Sequence, residues 1–330
     1  MKKLSVIFLL FFLLSCSHIN LKPQKDESFK VGLLLEGSAF DQGWNSQAYS
    51  SLILMEKEMN ATIKYVENLN TESKIYQETE TLAKEGYDLI YGNGRAFEAS
   101  FNKVAPSYLQ SHFVFFNGKP KGKNVTSINF VPESIGYFSG FTAGLMTKKH
   151  SIGLIPALDS MKEIPAFIVG AKEQNASNKV IVKVVGDWGN KEKAQQYARE
   201  LIKDGVDILV PMGDAYCIDV IMEAKKHNDV YVIGFVSDQS YISKSTVITS
   251  TQQDLRKIYI NTAEQFKSNS LASGVLKVDF KEGAQSLSSF GIMVTPDIKK
   301  KIETRLLNYI HGKEPLPDEV FGEWTNDTKK

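Results

Sequence analysis

The chain has 330 residues and a formal net charge of +1, with 39 basic and 38 acidic side chains interspersed along it. This balance provides no basic surface for nucleic acid and gives no reason to expect a highly charged partner. Hydrophobic residues make up 42% of the chain, which excludes a disordered protein and is enough for the cores of two ordinary domains.

The first predicted element is a secretory leader. Two lysines precede an almost unbroken apolar run, Leu4–Leu14. At about 11 residues this run is too short to cross a hydrocarbon core about 30 Å thick, so we expect residues 1–15 to be a signal peptide. The tetrapeptide Leu13-Leu14-Ser15-Cys16 resembles the lipobox of bacterial lipoproteins, which implies cleavage before Cys16 and its lipidation. The alternative is an ordinary secretory signal with an incidental cysteine.

The next segment, 16–29, is polar and has no periodicity, which predicts a flexible tether between the lipid and the first domain. Together these features place the protein on the extracytoplasmic face of the cell membrane, held there by a lipid anchor. The chain has two cysteines, Cys16 and Cys217. With Cys16 lipidated, only Cys217 is left as a thiol, so we expect no disulfide within the mature chain.

From Lys30 onwards, apolar runs alternate with amphipathic segments. The predicted strands are 31–35, 62–66, 88–91, 113–116, 151–155, 180–185, 207–210, 230–235, 247–249 and 276–280. The predicted helices are 47–59, 72–85, 96–105, 133–146, 164–173, 191–203, 215–227, 255–266 and 297–309. Wholly apolar strands that alternate with helices predict parallel sheets buried on both faces.

Two successive units of this kind predict an α/β protein with two Rossmann-like, doubly wound lobes and a hinge. We expect lobe 1 at residues 30–146, joined by roughly 240–268, and lobe 2 at 147–239, joined by roughly 269–312. Residues 313–330 are expected to be a C-terminal extension. The small residues within 133–146 should allow close backbone packing.

Candidate ligand contacts follow the predicted strands, because ligands of open α/β sheets bind at the carboxyl ends of the strands. The loops there are 36–45, 92–94, 117–118, 212–216 and 236–239, and they carry Asp, Asn, Gln, Trp and Tyr. These side chains suit a neutral, hydroxyl-rich small molecule. Local alternatives remain open: Asp214 also fits a helix N-cap, and Gly92 and Gly94 also fit a turn.

One of these loops carries a family signature. Residues 41–48, Asp-Gln-Gly-Trp-Asn-Ser-Gln-Ala, resemble a motif of the basic membrane protein family, the lipoprotein substrate-binding components of ABC transporters. Trp44 takes a Phe position of the motif, Asn45 its Asn and Ser46 its Gln. Further matches extend the resemblance over roughly residues 30–312. They are 124–127, 136–144, Gly153, Gly170, 233–239 and 247–250.

The resemblance implies a type I periplasmic-binding-protein fold whose two lobes close on a nucleoside. In such receptors carboxylates and amides hold the ribose, aromatic rings sandwich the base, and ABC permease subunits receive the ligand. Carried over by position, the candidate ligand contacts are Asp41, Trp44, Asn45, Asn117, Asp214, Tyr216 and Asp238. We expect no cofactor and no metal, and the near-neutral charge and the export signal indicate no nucleic-acid partner.

Several positions depart from the family pattern. Asn117 and Val236 stand where the family has Asp. Gly213–Cys217 replaces a glycine-rich turn, and Thr251–Gln253 stands where the family often has a Lys after its Thr-Ser motif. These departures are similar to those of the Med-type proteins of the same family, which are described as positive regulators of competence. The second functional hypothesis is therefore a membrane-bound regulator with a retuned or vestigial pocket.

An enzyme is the third class of function considered. The sequence contains no Gly-x-Ser-x-Gly, no His-Glu-x-x-His and no Gly-x-x-x-x-Gly-Lys motif. The five histidines are scattered, and Cys217 falls on a predicted helix, where we expect it to pack as a small apolar residue. The sequence therefore favours a binding protein over an enzyme.

Overall fold

The structure is a computed structural model that describes residues 29–40, 44–214 and 216–322. The strands are β1 (Lys30–Leu34), β2 (Thr62–Val66), β3 (Leu89–Gly92), β4 (His112–Phe116), β5 (Val125–Phe130), β6 (Ser151–Pro156), β7 (Lys179–Val182), β8 (Ile208–Met212), β9 (Tyr231–Gly234), β10 (Val247–Gln253), β11 (Gly274–Val278) and β12 (Gln285–Leu287). The helices are α1 (Trp44–Met59), α2 (Glu72–Lys84), α3 (Glu98–Val104), α4 (Pro132–Met146), α5 (Glu163–Gln174), α6 (Lys191–Lys203), α7 (Tyr216–Ala224), α8 (Leu255–Lys267) and α9 (Pro296–Ile310).

The strands form two sheets, one in each lobe. Within the described residues each sheet has six strands, in the orders β11-β5-β4-β3-β1-β2 and β12-β10-β9-β8-β6-β7. Every pair of the first sheet is parallel, and β12 is the antiparallel edge of the second. The central strands β3 and β4 are buried along their whole length because helices cover both faces of the sheet. The predicted two-lobed α/β class is confirmed.

Strand β5 was not predicted, and its sequence explains why. It reads Val-Thr-Ser-Ile-Asn-Phe, so polar residues interrupt the apolar run that marks the other central strands. Its register is fixed instead by parallel pairing to β4 on one side and to β11 on the other. The short antiparallel strand β12 was missed for the same reason, since Gln-Ser-Leu carries no apolar pattern.

The lobe boundaries differ from the predicted ones. Strand β10, expected to join lobe 1, lies in the second sheet, and β11, expected to join lobe 2, lies in the first. Helix α4, expected in lobe 1, packs along α5 of lobe 2. The sequence shows which segments are strands, but the sheet that each strand joins depends on long-range pairing.

Glycines explain why α4 and α5 pack so closely. A Cβ built on Gly140 would lie 2.1 Å from the Phe167 carbonyl oxygen, and one on Gly144 would lie 2.4 Å from that of Ala171. From the other helix, a Cβ on Gly170 would lie 2.2 Å from the Tyr137 carbonyl oxygen. Real Cβ atoms do not fit at such distances, so the two backbones touch directly. The predicted close packing of this segment is confirmed.

Of the residues that the structure describes, none belongs to a helix with the length and hydrophobicity needed to cross a bilayer. The predicted leader and the predicted lipidation residue, Cys16, lie outside the described residues.

Candidate functional site

The two lobes meet at the carboxyl ends of their strands. Within the described residues the chain passes between the lobes three times. Val131 follows β5, Asp254 follows β10, and residues 279–284 connect β11 to β12. Since these crossings are short and all three leave directly from a carboxyl strand end, the carboxyl edges of both sheets border one cleft.

Hydrogen bonds tie the three crossings into one hinge. The Val131 amide donates to the Val278 carbonyl oxygen at 3.0 Å, and the Asp254 amide donates to that of Ala284 at 2.8 Å. The Gln285 side chain adds a third link, because its Nε2 donates to the Val131 carbonyl oxygen at 3.1 Å. The hinge is therefore a connected unit rather than three separate linkers.

On the lobe 1 edge, the central feature is the indole of Trp44. Helix α1 begins at this residue, so Trp44 lies on the first turn of the helix rather than in the preceding loop. Its half-buried ring packs edge-on against Phe116 and Phe130, with 5.8 Å between ring centroids in both cases. The indole Nε1 donates to the Asn93 carbonyl oxygen at 3.1 Å, which fixes the ring in place.

The buried amide of Asn93 organises this edge. Its Nδ2 donates to Asn45 Oδ1 at 2.9 Å and lies 3.3 Å from the Trp44 carbonyl oxygen, and its Oδ1 accepts from the Tyr259 hydroxyl at 3.0 Å. Because α8 carries Tyr259 and follows the second crossing, the network connects the edge to the hinge. Asn93 was not among the predicted contacts, although it follows β3 directly.

Asn117 lies on the same edge, after β4. Its backbone φ is +58°, a left-handed conformation that Asn tolerates better than most residues. Its side chain is exposed, and its Oδ1 accepts from the Phe130 amide at 3.3 Å. Beside it, Ser127 Oγ accepts from the Gly118 amide at 3.0 Å and donates to Asn129 Oδ1 at 2.6 Å. This part of the edge offers neutral amide and hydroxyl groups.

A carboxylate that the prediction omitted lies nearby. Glu36 follows β1, and a Cβ on Gly94 would lie 3.1 Å from its Oε2, so the carboxyl borders the turn that follows β3. Burial raises the pKa of the Glu36 carboxyl above its ordinary value. Asp41, the predicted carboxylate of this loop, lies outside the described residues.

The prediction for Tyr216 is wrong. The side chain is completely buried in lobe 2, with its hydroxyl 2.9 Å from the Met212 carbonyl oxygen and 3.0 Å from that of Ile155. The ring lies against Gly213, where a Cβ would come within 2.1 Å of it. Gly213 lets the ring turn inward, so Tyr216 supports the end of β8 and presents no face to the cleft.

The other predicted residues of lobe 2 lie on separate exposed turns. Asp238 is exposed, and its Oδ1 accepts from the Ser240 amide at 3.0 Å, which closes an Asx-type turn. Asp214 is exposed after β8, and its amide donates to the Trp188 carbonyl oxygen at 3.0 Å. Trp188, which was not predicted, thus brings a 41% exposed indole to this edge. Its signal was an aromatic residue in the loop after β7.

Val236 shows that the turn after β9 is strained. Its φ is +66°, in a region where a β-branched residue is a genuine outlier. The conformation is held by the Gln253 amide, which donates to the Val236 carbonyl oxygen at 3.0 Å, and by Gln239, whose Oε1 accepts from the Phe235 amide at 3.3 Å. Such strain persists only where the surrounding structure imposes it.

The edges suit binding of a neutral polar molecule. Among residues 29–40, 44–214 and 216–322, no group of three or more His, Cys, Asp or Glu side chains could hold a metal ion. Cys217 is buried as predicted, and burial raises the pKa of its thiol to about 12. Amides, hydroxyls and a half-buried indole can together hydrogen-bond a ligand and stack on it.

Two curated relatives match nearly the whole chain. The transcriptional activator protein Med of Bacillus subtilis (strain 168) is 33% identical over 308 residues, which cover 93% of this chain and 96% of Med. The ABC transporter nucleoside-binding protein BmpA of Lactococcus lactis (strain MG1363) is 24% identical over 302 residues, covering 84% of this chain and 85% of BmpA.

Solved structures share the fold. A transcriptional activator of the comK gene from Bacillus halodurans superposes with a TM-score of 0.81 at 36% identity, over 87% of this chain and 99% of that one. An ABC transporter solute-binding protein from Conexibacter woesei gives a TM-score of 0.75 at 20% identity, over 88% and 99% of the two chains.

The family model that describes PnrA-like ABC transporter substrate-binding proteins matches residues 28–314, almost the whole described part of the chain. The matched range includes both sheets, the hinge and the two carboxyl edges. The chain therefore belongs to the Bmp family of PnrA-like ABC transporter substrate-binding proteins, as its sequence resemblance implied.

Proposed function

We propose that this protein is a lipid-anchored extracytoplasmic receptor that closes its two lobes on a nucleoside or a similar hydroxyl-rich molecule. The observation that carries this proposal is the lobe 1 edge, where Asn93 holds the Trp44 indole through its backbone carbonyl oxygen and the Asn45 side chain through its side-chain amide. A flat base stacks well on an indole, and amides hydrogen-bond to sugar hydroxyls or to the edges of a base.

The family supports the transport side of the proposal. Members of this family are substrate-binding components of ABC transporters, so ABC permease subunits are the proposed recipients of the ligand. BmpA, a relative that spans most of the chain, is named as a nucleoside-binding protein, which supports the ligand class. The leader at 1–15 and lipidation at Cys16 remain part of the proposal, and they keep the receptor beside its permease.

The experiment is a calorimetric titration of the purified protein with purine and pyrimidine nucleosides. We expect saturable binding and a melting temperature that rises with nucleoside concentration by mass action. Trp44→Ala should weaken binding about ten- to a hundredfold, since stacking on an aromatic ring contributes roughly 1–3 kcal/mol per base.

The control is Phe321→Ala, which removes a 58% exposed aromatic ring from the C-terminal 3₁₀ turn, on neither strand edge. This variant should bind as the parent protein does. If neither a nucleoside nor a sugar binds at millimolar concentration, the receptor proposal fails. If Trp44→Ala binds with unchanged affinity, Trp44 belongs to the core instead of the ligand site.

A second candidate function is regulatory, as in the activators to which the chain is similar. Both activators, at 33% and 36% identity, are more similar in sequence than the nucleoside-binding BmpA. Under this alternative the lobe 2 edge, with Tyr216 turned into the core and Val236 strained, is a retuned or vestigial binding surface.

A reporter of competence gene expression in a deletion strain distinguishes the two functions. Complementation by the parent protein and equally by Trp44→Ala would indicate a regulator that works without its pocket. Loss of activity in Trp44→Ala would indicate that ligand capture drives the regulation.

A further inference from the structure

A second cavity lies in lobe 1, between α8 and the edge strand β11. Its volume is about 300 Å³, at the lower end of the range for small-molecule sites. Its apolar lining consists mainly of Ile128 and Ile258, which are almost fully buried, and of the half-buried Leu276 and Val278. Polar side chains complete the lining, among them Asn261, Thr262, Gln265 and Ser270. None of the predicted cleft contacts lines it.

Two lysines line this cavity, Lys257 and Lys277, and among the described residues neither forms an ion pair. Lys257 projects from the first turn of α8, and a Cβ on Gly283 would lie 2.2 Å from its Nζ, so the ammonium rests over the third crossing. Within the described part of the chain, this ammonium makes no hydrogen bond or ion pair.

The carboxylate that also borders the cavity is already engaged. Glu282 Oε2 accepts from the Asp279 amide at 2.8 Å, a bond that shapes the third crossing. The positively charged Lys277 lines the cavity as well, so the charge around it is not balanced by Glu282 alone. An apolar part of the lining beside two ammonium groups matches a molecule with an apolar body and one anionic end.

We infer that this cavity is a second ligand site, separate from the cleft, that binds a small amphipathic carboxylate. The apolar chain of the ligand lies between Ile258 and Leu276, and its carboxylate pairs with Lys257. A carboxylate that meets a lysine ammonium forms a charge-assisted hydrogen bond, which is stronger than a neutral one. The site borders two hinge crossings, at Asp254 and Ala284, and goes beyond the proposed receptor function.

The probe is octanoate, titrated into the purified full chain and followed by methyl NMR. The Ile258 and Ile128 methyl signals should shift in a saturable way, while the Ile292 methyl, on an 87% exposed side chain elsewhere, should not. Octanol lacks the charge and acetate lacks the chain, so both should bind more weakly than octanoate.

Two variants separate the contributions of charge and shape. Lys257→Gln should weaken octanoate about tenfold by removing the charge-assisted bond, and should leave octanol unchanged. The matched control is Arg256→Gln, which removes one positive charge from the neighbouring exposed residue outside the cavity lining. Leu276→Trp should fill the slot and abolish the methyl shifts of both compounds.

Clear outcomes would overturn the inference. Absence of any saturable shift at Ile258 in the folded parent protein would show that the cavity binds no amphipathic carboxylate. Equal effects of Lys257→Gln and Arg256→Gln would show general electrostatic attraction and no ammonium contact. Both results are independent of nucleoside binding at the cleft, so they leave the receptor proposal to its own test.

Discussion

The two strand edges that border the cleft follow one topological rule but are built differently. On lobe 1, Trp44, Asn45 and Asn93 hold one another through hydrogen bonds. On lobe 2, Tyr216 is buried in the core and Asp238 closes its own turn. A position after a strand therefore does not by itself make a ligand contact. We expect a contact where neighbouring groups fix the side chain toward the cleft, as they do for Trp44 and Asn45.

The lobes also differ in how their elements pack. In lobe 2 the backbones of α4 and α5 touch at glycines, so that interface has no room for a side chain. In lobe 1, Gly32 on β1 instead faces the flexible end of a side chain, because its Cβ would lie 2.7 Å from Leu82 Cδ1. The α4–α5 contact should therefore be more sensitive to added atoms than the contact between Gly32 and Leu82.

The largest expected effect tests this difference. Gly140→Ala places a methyl group 2.1 Å from the Phe167 carbonyl oxygen, so the two helices must separate. We expect a loss of about 3 kcal/mol or more in the free energy of unfolding, measured by urea denaturation. Gly32→Ala is the matched control and should lose about 1 kcal/mol, since the Leu82 side chain can turn away. Equal losses in both variants would contradict the proposed difference between the two contacts.

The second prediction contrasts the pH dependence of the lobes. In lobe 2, burial of the Glu163 carboxyl, aided by the charge of Glu133, raises its pKa from 4.5 to about 7. The folded state then holds a proton that the unfolded state has released, so stability falls as the pH rises from about 4.5 to about 7. In lobe 1, burial lowers the pKa of His112 from 6.5 to about 4. The contribution of this residue to folding stability is therefore lost as the pH falls from about 6.5 to about 4.

The free energy of unfolding of the parent protein should therefore fall by roughly 3 kcal/mol between pH 5 and pH 8, and Glu163→Gln should abolish this fall. The measurement is urea denaturation of the parent and the variant across this pH range. The partner experiment is His112→Asn, which should flatten the loss of stability on the acid side instead. If Glu163→Gln keeps the slope of the parent protein, the carboxyl is not the group that titrates.

The sequence allowed most of the fold to be predicted, for a physical reason. Buried parallel strands such as β3 and β4 are continuous apolar runs, and these stand out from the amphipathic helices between them. Strand β5 escaped because Ser127 and Asn129 interrupt its apolar pattern. Their side chains hydrogen-bond to each other and to Gly118, contacts that no local pattern reveals.

The site was less predictable because side-chain direction depends on the turn that carries it. Trp44 and Tyr216 both follow a strand, yet one ring borders the cleft and the other lies inside lobe 2. The inward turn needs Gly213, whose missing side chain makes room for the ring. Asn93 and Trp188 also follow strands, but their sequence context does not mark them as contacts, since the glycines on both sides of Asn93 equally suit a plain turn.

The third prediction separates these two aromatic residues. Tyr216→Phe removes the hydroxyl that bonds to the Met212 and Ile155 carbonyl oxygens, so we expect a loss of about 1–2 kcal/mol in unfolding free energy. Nucleoside affinity should stay unchanged, in contrast to Trp44→Ala. Calorimetric titration beside urea denaturation makes both measurements on one preparation. A weaker affinity in Tyr216→Phe would return Tyr216 to the ligand site.

The prediction with the smallest expected effect concerns two turns at equivalent places in the lobes, after β4 and after β9. Asn117 follows β4 at φ +58° and Val236 follows β9 at φ +66°, so both lobes use the left-handed conformation after a central strand. Lobe 1 places there a residue that tolerates this conformation, whereas lobe 2 places a β-branched one. The family resemblance expects Asp at both positions, and Asp also tolerates the left-handed region.

Val236→Asn and Val236→Ala lose the same apolar contacts with the lobe 2 core, so the difference between them isolates the backbone term. We expect Val236→Asn to exceed Val236→Ala by about 1 kcal/mol in unfolding free energy, measured by urea denaturation. Asn117→Ala should lose more than this in lobe 1, because it also removes the hydrogen bond from the Phe130 amide. Equal stabilities for the two Val236 variants would mean that the turn after β9 carries no strain. The lobe 2 edge would then differ from the lobe 1 edge only in its side chains.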